Sequence, residues 1–193
     1  EMVERLGELA ESRSKETANH VKRVAKISEI LAQACNLSEK EVEYLTMASP
    51  MHDIGKIAIP DSILLKKGKL TKDEFEIMKE HAQIGWEIFK TSKREILKVA
   101  AIVSHEHHER WDGKGYPRGL KEDEIHIYGR ITTVADVYDA LSQKRCYKDS
   151  WPREKVFLYL KEAKGKQFDP HIIDLFFENF EVIDAEIKKI DTE

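Results

Sequence analysis

Apolar residues recur at intervals of three and four along most of this 193-residue chain. Val21, Val24 and Ile27 begin the clearest series, and this spacing places them on one face of a helix. Strand patterns are weak, since a short apolar stretch at 56–60 ends in proline, which cannot continue a central strand. The pattern predicts an all-α protein, a single compact bundle of about seven or eight helices with a long Gly-rich loop at 111–119.

Several local signals predict where individual helices begin. Ser38, Thr71 and Ser92 each precede a glutamate at the third following position, which is the pattern of a capping box. Pro152 fits an early helical position, where its missing N–H costs little. Apolar residues predict a further helix over 131–142. These signals divide the chain into helices joined by short connections.

Charge and cysteine content exclude several classes of function. The formal net charge is −4 and no basic stripe is present, so a nucleic acid is not an expected ligand. Cys35 and Cys146 are far apart, which argues against a disulfide framework or a thiolate zinc site and fits a reducing cytoplasm. No apolar run approaches the roughly 20 residues that span a bilayer, so we expect no membrane contact from this segment.

The start of the chain indicates a fragment of a longer protein. Glu1 opens directly into a polar helical pattern, and no signal-peptide pattern is present. We expect residues 1–14 to be a linker or helical extension from an upstream domain that senses a signal or anchors the protein. Residues 15–193 are then the domain that carries the chemistry.

Histidines and carboxylates form a candidate metal centre. His52 and Asp53 are adjacent at the end of a predicted helix, and Glu16 and His20 are four residues apart on one helical face. The other candidate ligands lie on later predicted helices, at His81, His107, His108 and Asp136. This set is too large for one six-coordinate ion that must also keep positions open for substrate. The sequence therefore predicts a site for more than one ion.

The donor types indicate which metals and which chemistry to expect. Imidazole and carboxylate without cysteine suit iron, manganese, nickel or zinc. Asp53 is the expected bridge, because a carboxylate can offer one oxygen to each of two ions about 3.5–4 Å apart. Two such ions can lower the pKa of a shared water and neutralise charge that develops on a phosphate. The predicted reaction is hydrolysis of a phosphodiester.

Each of these residues also has a structural interpretation. Glu16 and His20 could form an ordinary surface pair four residues apart on a helix. We assign His126 and His171 to structural or surface positions. His105 lies two positions before His107, so on a regular helix it is expected to point away from that candidate ligand.

Two motifs resemble a known family. The segment 52–56, His-Asp-Ile-Gly-Lys, is similar to the signature of HD-domain phosphohydrolases. The segment 107–117, with His-His-Glu followed by Gly-Tyr-Pro, resembles the motif that gives the HD-GYP subgroup its name. Further motifs at 135–141 and 168–170 follow in the order of that subgroup, and the resemblance covers roughly residues 16–180. It implies an HD-domain helical bundle whose long loop carries Gly-Tyr-Pro.

The resemblance implies a bacterial second-messenger enzyme, which hydrolyses cyclic di-GMP to linear pGpG and in many members to GMP. It implies metal ligands at His20, His52, Asp53, His81, His107, His108 and Asp136, with Glu16 as a ligand of a third ion in some members. It implies that Lys56 contacts the reacting phosphate, that Tyr116 lines the substrate pocket, and that Arg145 and Lys148 bind substrate phosphate. Two or three divalent ions are expected, with iron or manganese ahead of zinc and nickel.

Other interpretations remain open. One is a general HD-type phosphohydrolase that acts on a nucleotide, and another is a non-catalytic module that binds GGDEF-domain proteins. The sequence leaves open the native metal, the number of ions, the final product, activity on cyclic GMP-AMP and homodimer formation. Cleavage of nucleic acid is disfavoured by the charge of −4.

Overall fold

A computed structural model describes residues 18–143 and 150–192. Within these ranges the chain contains α-helices and short 3-10 helices but no strand. The α-helices are α1 (Ala18–Ala34), α2 (Glu39–Ala48), α3 (Asp61–Leu64), α4 (Lys72–Phe89), α5 (Glu95–Glu106), α6 (Ile127–Ser142), α7 (Arg153–Ala163), α8 (Pro170–Glu178) and α9 (Phe180–Thr192). The 3-10 helices are Ser49–Met51, Ile54–Ala58 and Glu122–Glu124. The all-α prediction is confirmed.

The observed helix starts confirm some of the sequence signals and correct others. Ser38 and Thr71 form the predicted capping boxes. The prediction for Ser92 was wrong, because α5 begins at Glu95 and the Ser92 hydroxyl instead accepts a hydrogen bond from the nearby backbone N–H of Arg94 at 3.2 Å. The helix predicted over 131–142 begins a turn earlier, and the four-residue α3 is too short to show apolar periodicity.

Helix α1 lies at the centre of the bundle. It packs against α2, α6 and α9, and its side chains Val24, Ile27 and Leu31 are fully buried. Burial of each such side chain stabilises the fold by about 1.5–3 kcal/mol. The apolar face that the sequence predicted on α1 is therefore part of the core of the domain.

None of the described helices is both long enough and apolar enough to cross a membrane.

A close approach of backbone to backbone positions the segment after Asp53. Helix α4 packs against the 3-10 helix Ile54–Ala58, and Gly55 lies at the contact. A Cβ atom on Gly55 would lie 1.9 Å from the carbonyl oxygen of His81 and 2.7 Å from the backbone nitrogen of Gly85. Only a glycine fits, so the turn that carries Asp53 lies directly on the helix that carries His81.

Replacing Gly55 with alanine is expected to separate these two elements. The new methyl group meets backbone atoms, which cannot rotate away, so the free energy of unfolding should fall by about 3 kcal/mol. Urea denaturation followed by circular dichroism measures this change. An unfolding free energy within about 0.5 kcal/mol of the parent value would contradict the close packing at this position.

Candidate metal centre

One group of candidate ligands, the Asp53 cluster, consists of Asp53, His81, His107 and His108. Each offers a ligand atom that lies within 4.8 Å of the others. Asp53 is the residue before the 3-10 helix Ile54–Ala58, and His81 lies on α4. His107 is the C-cap of α5, and His108 follows it. Packing of α4 against both α5 and the 3-10 helix brings these segments together.

A second group, the Asp136 cluster, consists of His20, His52 and Asp136. Their ligand atoms also lie within 4.8 Å of one another. His20 comes from the first turn of α1, Asp136 comes from α6, and His52 ends the 3-10 helix Ser49–Met51. The sequence analysis named every member of both clusters, and the fold brings them together from across the chain.

Asp53 lies between the two clusters. Its Oδ1 atom is 3.2 Å from Nε2 of His81 and 3.6 Å from Nε2 of His107. Its Oδ2 atom is 3.2 Å from Nε2 of His52, which belongs to the other cluster. The two carboxylate oxygens therefore face different groups of ligands.

Backbone carbonyls orient three of the imidazole rings. Nδ1 of His52 donates to the carbonyl of Ser49 at 2.8 Å, and Nδ1 of His81 donates to that of Met78 at 2.6 Å. Nδ1 of His107 contacts carbonyl oxygens one turn earlier in α5, at 2.9 and 3.0 Å. A carbonyl has no proton to give, so each Nδ1 carries the hydrogen. In the neutral ring the lone pair then lies on Nε2, which is the arrangement of a metal ligand.

These orientations provide a test of whether the residues fit a metal. The Nε2 atoms of His81 and His107 lie 3.3 Å apart, so two lone pairs point into the same small space. Oδ1 of Asp53 is buried there and has no hydrogen-bond partner among the described residues. Electron-rich atoms converging in this way repel one another unless a cation lies between them. The donor set, imidazole and carboxylate, fits divalent ions.

The electrostatics of the Asp53 cluster keep His107, His108 and Asp53 in their metal-binding forms. Burial lowers the pKa of His107 and lowers that of His108 far below its usual value, so both rings are neutral near pH 7. Burial alone would raise the pKa of Asp53, but the Lys56 ammonium and His52 hold it well below its usual range. Neutral imidazole and ionised carboxylate are the forms that bind metal ions.

Asp139 supports the Asp136 cluster, and the sequence analysis assigned it no role. Its Oδ2 atom lies 2.7 Å from Nδ1 of His20, and its Oδ1 atom accepts a hydrogen bond from Nε of Arg23 at 2.5 Å. Burial would lower the pKa of His20, but this bond and the charges of both aspartates raise it. The spacing of three residues between Asp136 and Asp139 on one helix was the available signal.

Lys56 and Tyr116 border the Asp53 cluster. The Lys56 ammonium forms an ion pair with Oδ2 of Asp53. The ring of Tyr116 stacks on that of His108, with centroids 4.6 Å apart and an angle of 30° between the planes. Both side chains lie beside the predicted metal ligands, and their contact with substrate stays a prediction. A cavity of about 290 Å³ opens beside Tyr116 and is lined in part by His107 and His108.

Two buried glutamates hold the G-Y-P loop, the loop at 111–119 that carries Gly-Tyr-Pro, onto the end of α5. Glu109 accepts hydrogen bonds from the backbone N–H groups of Arg118 and Leu120, at 2.8 and 3.0 Å. Glu106 accepts from the Arg118 guanidinium at 2.5 Å and from the backbone N–H of His126 at 2.6 Å. The loop that carries Tyr116 is thereby attached to the helix end that carries the two adjacent histidines. The sequence analysis quoted Glu109 within a motif but gave it no task.

The remaining predicted residues lie elsewhere or outside the described ranges. His105 points away from the site, as expected, and stacks on Trp86 with centroids 4.9 Å apart. His126 accepts a hydrogen bond from the N–H of Tyr128 and so caps α6, which is a structural role. The predicted metal ligand Glu16 lies outside the described residues. So do Arg145 and Lys148, which were predicted to contact the substrate phosphate.

Comparison with known proteins gives the family. The HD domain family model matches residues 4–172. A 3'3'-cGAMP-specific phosphodiesterase 2 from Vibrio cholerae is 48% identical over 181 residues, which cover 94% of this chain and 35% of that protein. A cyclic di-GMP phosphodiesterase from Thermotoga maritima is 47% identical, over 91% of this chain and 48% of that protein. The chain thus spans from about a third to about half the length of these curated relatives.

Solved structures show the same fold. A cyclic GMP-AMP-specific phosphodiesterase from V. cholerae has a TM-score of 0.73 at 16% identity, over 96% of this chain and 50% of that one. An HDG"Y"P protein from Bdellovibrio bacteriovorus has a TM-score of 0.66 at 20% identity, over 84% of this chain and 51% of that one. With the His-Asp pair at the centre of the metal-binding clusters and the Gly-Tyr-Pro loop beside it, the chain belongs to the HD domain family, in its HD-GYP subgroup.

Proposed function

We propose that this domain hydrolyses cyclic di-GMP to pGpG, and onward to GMP as in many members of the subgroup, with two or three divalent metal ions that Asp53 and the two ligand clusters would hold. The observation that carries the proposal is the position of Asp53, whose two carboxylate oxygens face two separate clusters of ligand atoms. When bound, the ions would activate water and polarise the phosphoryl group. Residues 15–193 would be the catalytic domain, and 1–14 would link it to an upstream sensory domain.

The chain's own residues have distinct tasks in this proposal. The two clusters hold the ions, and Glu16 adds a ligand where a third ion is bound. Lys56 contributes its ammonium to a non-bridging oxygen of the scissile phosphate, next to the carboxylate that it already pairs with. Tyr116 lines the substrate pocket, and Arg145 and Lys148 bind phosphate. The imidazole and carboxylate donors suit iron, manganese, zinc and nickel. We expect iron or manganese, as the resemblance to the HD-GYP subgroup implies.

The names of relatives support a cyclic dinucleotide and leave two candidates. The T. maritima relative is named a cyclic di-GMP phosphodiesterase, whereas a V. cholerae relative of similar identity is named 3'3'-cGAMP-specific. Both substrates contain at least one guanosine and two phosphodiester bonds. Cyclic di-GMP is our first candidate, and 3'3'-cGAMP is the second, on the strength of the 48% identity to that relative.

One sample prepared without oxygen tests the proposal. The protein is loaded with iron or manganese, its metal content is measured by elemental analysis, and its turnover of cyclic di-GMP, 3'3'-cGAMP and simple nucleotides is compared. Two or three ions per chain with formation of pGpG or GMP is the expected result, and a chelator should stop it. A fully metallated protein that leaves cyclic di-GMP intact but cleaves 3'3'-cGAMP or a nucleotide would overturn the first candidate.

The surroundings of the domain are also part of the proposal. A protein that stays folded without metal, cannot be reconstituted and still binds a GGDEF-domain protein would be a binding module instead.

A cytoplasmic setting is supported by the two isolated cysteines and by the proposed cyclic dinucleotide substrate. Sedimentation of the purified domain decides whether it forms a homodimer.

A further inference from the structure

The cavity beside the metal clusters has a second wall that the proposed chemistry does not use. His107, His108 and Tyr116 line one side of the space of about 290 Å³, and Phe75 and Lys79 of helix α4 also line it. The volume is near the lower limit of about 300 Å³ for small-molecule pockets. It therefore fits one nucleotide unit of a cyclic dinucleotide rather than the whole molecule.

Phe75 is a large apolar side chain at the rim of this cavity. It is 44% exposed, although it belongs to the first turn of α4, where its neighbours are charged. Its ring and that of Tyr116 are nearly perpendicular, at 84° with centroids 6.3 Å apart, so they form a corner. The capping box between Thr71 and Glu74 fixes the start of the helix and with it the position of Phe75.

Lys79 places a cation in this corner. Its ammonium lies 5.3 Å from the ring centroid of Phe75 and 5.6 Å from that of Tyr116. It donates one hydrogen bond to the exposed Glu76, at 2.7 Å. An ammonium has three donors and no acceptor. Guanine presents two acceptors, O6 and N7, on one edge, whereas adenine presents one acceptor and one amino donor there.

We propose that Phe75 and Lys79 form a nucleobase subsite of this enzyme, in which the Phe75 ring stacks on a purine and the Lys79 ammonium selects guanine over adenine. The inference rests on the proposed function, because that function places the substrate phosphate at the ions that the Asp53 and Asp136 clusters would hold. Aromatic faces accept any base, and one stacked base is worth roughly a tenfold or larger change in affinity. The selectivity for guanine then comes from the acceptors that face Lys79.

Binding of single nucleotides to the metal-loaded protein tests the subsite without relying on turnover. Isothermal titration calorimetry compares GMP, AMP and ribose 5-phosphate, which share a 5'-phosphate. We expect the parent protein to bind GMP about tenfold or more tightly than ribose 5-phosphate. In Phe75→Ala this ratio should fall to about twofold or less, and Phe75→Tyr should keep it, since both rings stack. Ile88→Ala, which removes another exposed apolar side chain of α4, should match the parent.

Lys79→Met tests the selection of guanine, because it keeps the apolar stem and removes the donors. We expect the preference for GMP over AMP to fall about tenfold, to near parity, while binding of ribose 5-phosphate stays the same. The matched control is Lys98→Met, which breaks the equivalent exposed pair between Lys98 and Glu95 on α5. A parent protein without any preference for GMP over ribose 5-phosphate, or a Phe75→Ala variant that keeps it, would overturn the subsite.

The two proposals fail in different ways. A parent protein that does not cleave cyclic di-GMP but loses its GMP preference on Phe75→Ala contradicts the proposed function and supports the subsite. A protein that cleaves cyclic di-GMP with unchanged kcat and KM in Phe75→Ala supports the function and overturns the subsite. Circular dichroism of each variant confirms that the fold is retained.

Discussion

Replacing Asp53 with alanine is expected to abolish hydrolysis and to lower the metal content of the protein. The carboxylate is buried between two groups of imidazoles, and no other described carboxylate faces both. Losing an ion that stabilises transition-state charge costs several kcal/mol, which corresponds to a decrease in kcat of about a thousandfold or more. Elemental analysis and a kcat measurement on the same sample check both effects.

A matched control separates loss of the bridge from loss of a charge. Asp174→Ala removes a carboxylate on the exposed surface of α8 and should change neither metal content nor kcat. An Asp53→Ala protein that keeps its ions and turns over at a near-normal rate would rule out the bridging role, and with it the proposed mechanism.

Replacing Lys56 with methionine is expected to slow hydrolysis while the metals stay bound. Lys56 pairs with Asp53 and is largely buried at the edge of the Asp53 cluster, but an ammonium is not a metal ligand. Losing one preorganised group that stabilises charge on the reacting phosphate typically lowers kcat by about 100- to 1,000-fold. The decrease should appear in kcat, measured at saturating cyclic di-GMP. Elemental analysis of the same sample should show an unchanged metal content.

Lys66→Met provides the comparison for this variant. Lys66 also pairs with a carboxylate, that of Glu74, but this pair is partly exposed and Glu74 belongs to neither cluster. Its removal should leave kcat within about twofold of the parent value, because exposed ion pairs contribute little. Loss of metal in Lys56→Met would show that Lys56 maintains the ligand set instead of contacting the phosphate.

The sequence was sufficient to predict those features that depend on neighbours along the chain. Helical periodicity and the capping boxes at Ser38 and Thr71 depend on residues three or four positions apart. The candidate ligands could be named because the chain has only 8 histidines and several of them occur in recognisable motifs that also contain aspartate. The start of α6 was missed because a histidine cap is uncommon and His126 had been assigned no partner.

The supporting contacts could not be predicted, because they join distant segments. Asp139 and His20 are separated by 119 residues, and nothing in either segment identifies the other. Glu106 meets the backbone N–H of His126 only after the loop has folded back onto α5. The corner that Phe75 forms with Tyr116 likewise depends on α4 and the G-Y-P loop meeting in space.

The bonds from backbone carbonyls to the imidazole rings affect how this protein acquires its metal. The carbonyls that orient His52, His81 and His107 belong to residues three or four positions earlier, so each ring is aligned as soon as its own helical turn forms. An ion that binds there would have little side-chain freedom left to restrict, so ordering the ligands would cost little conformational entropy. Because imidazole and carboxylate donors suit several divalent metals, the metal supply around the protein would contribute to which ion these aligned rings hold.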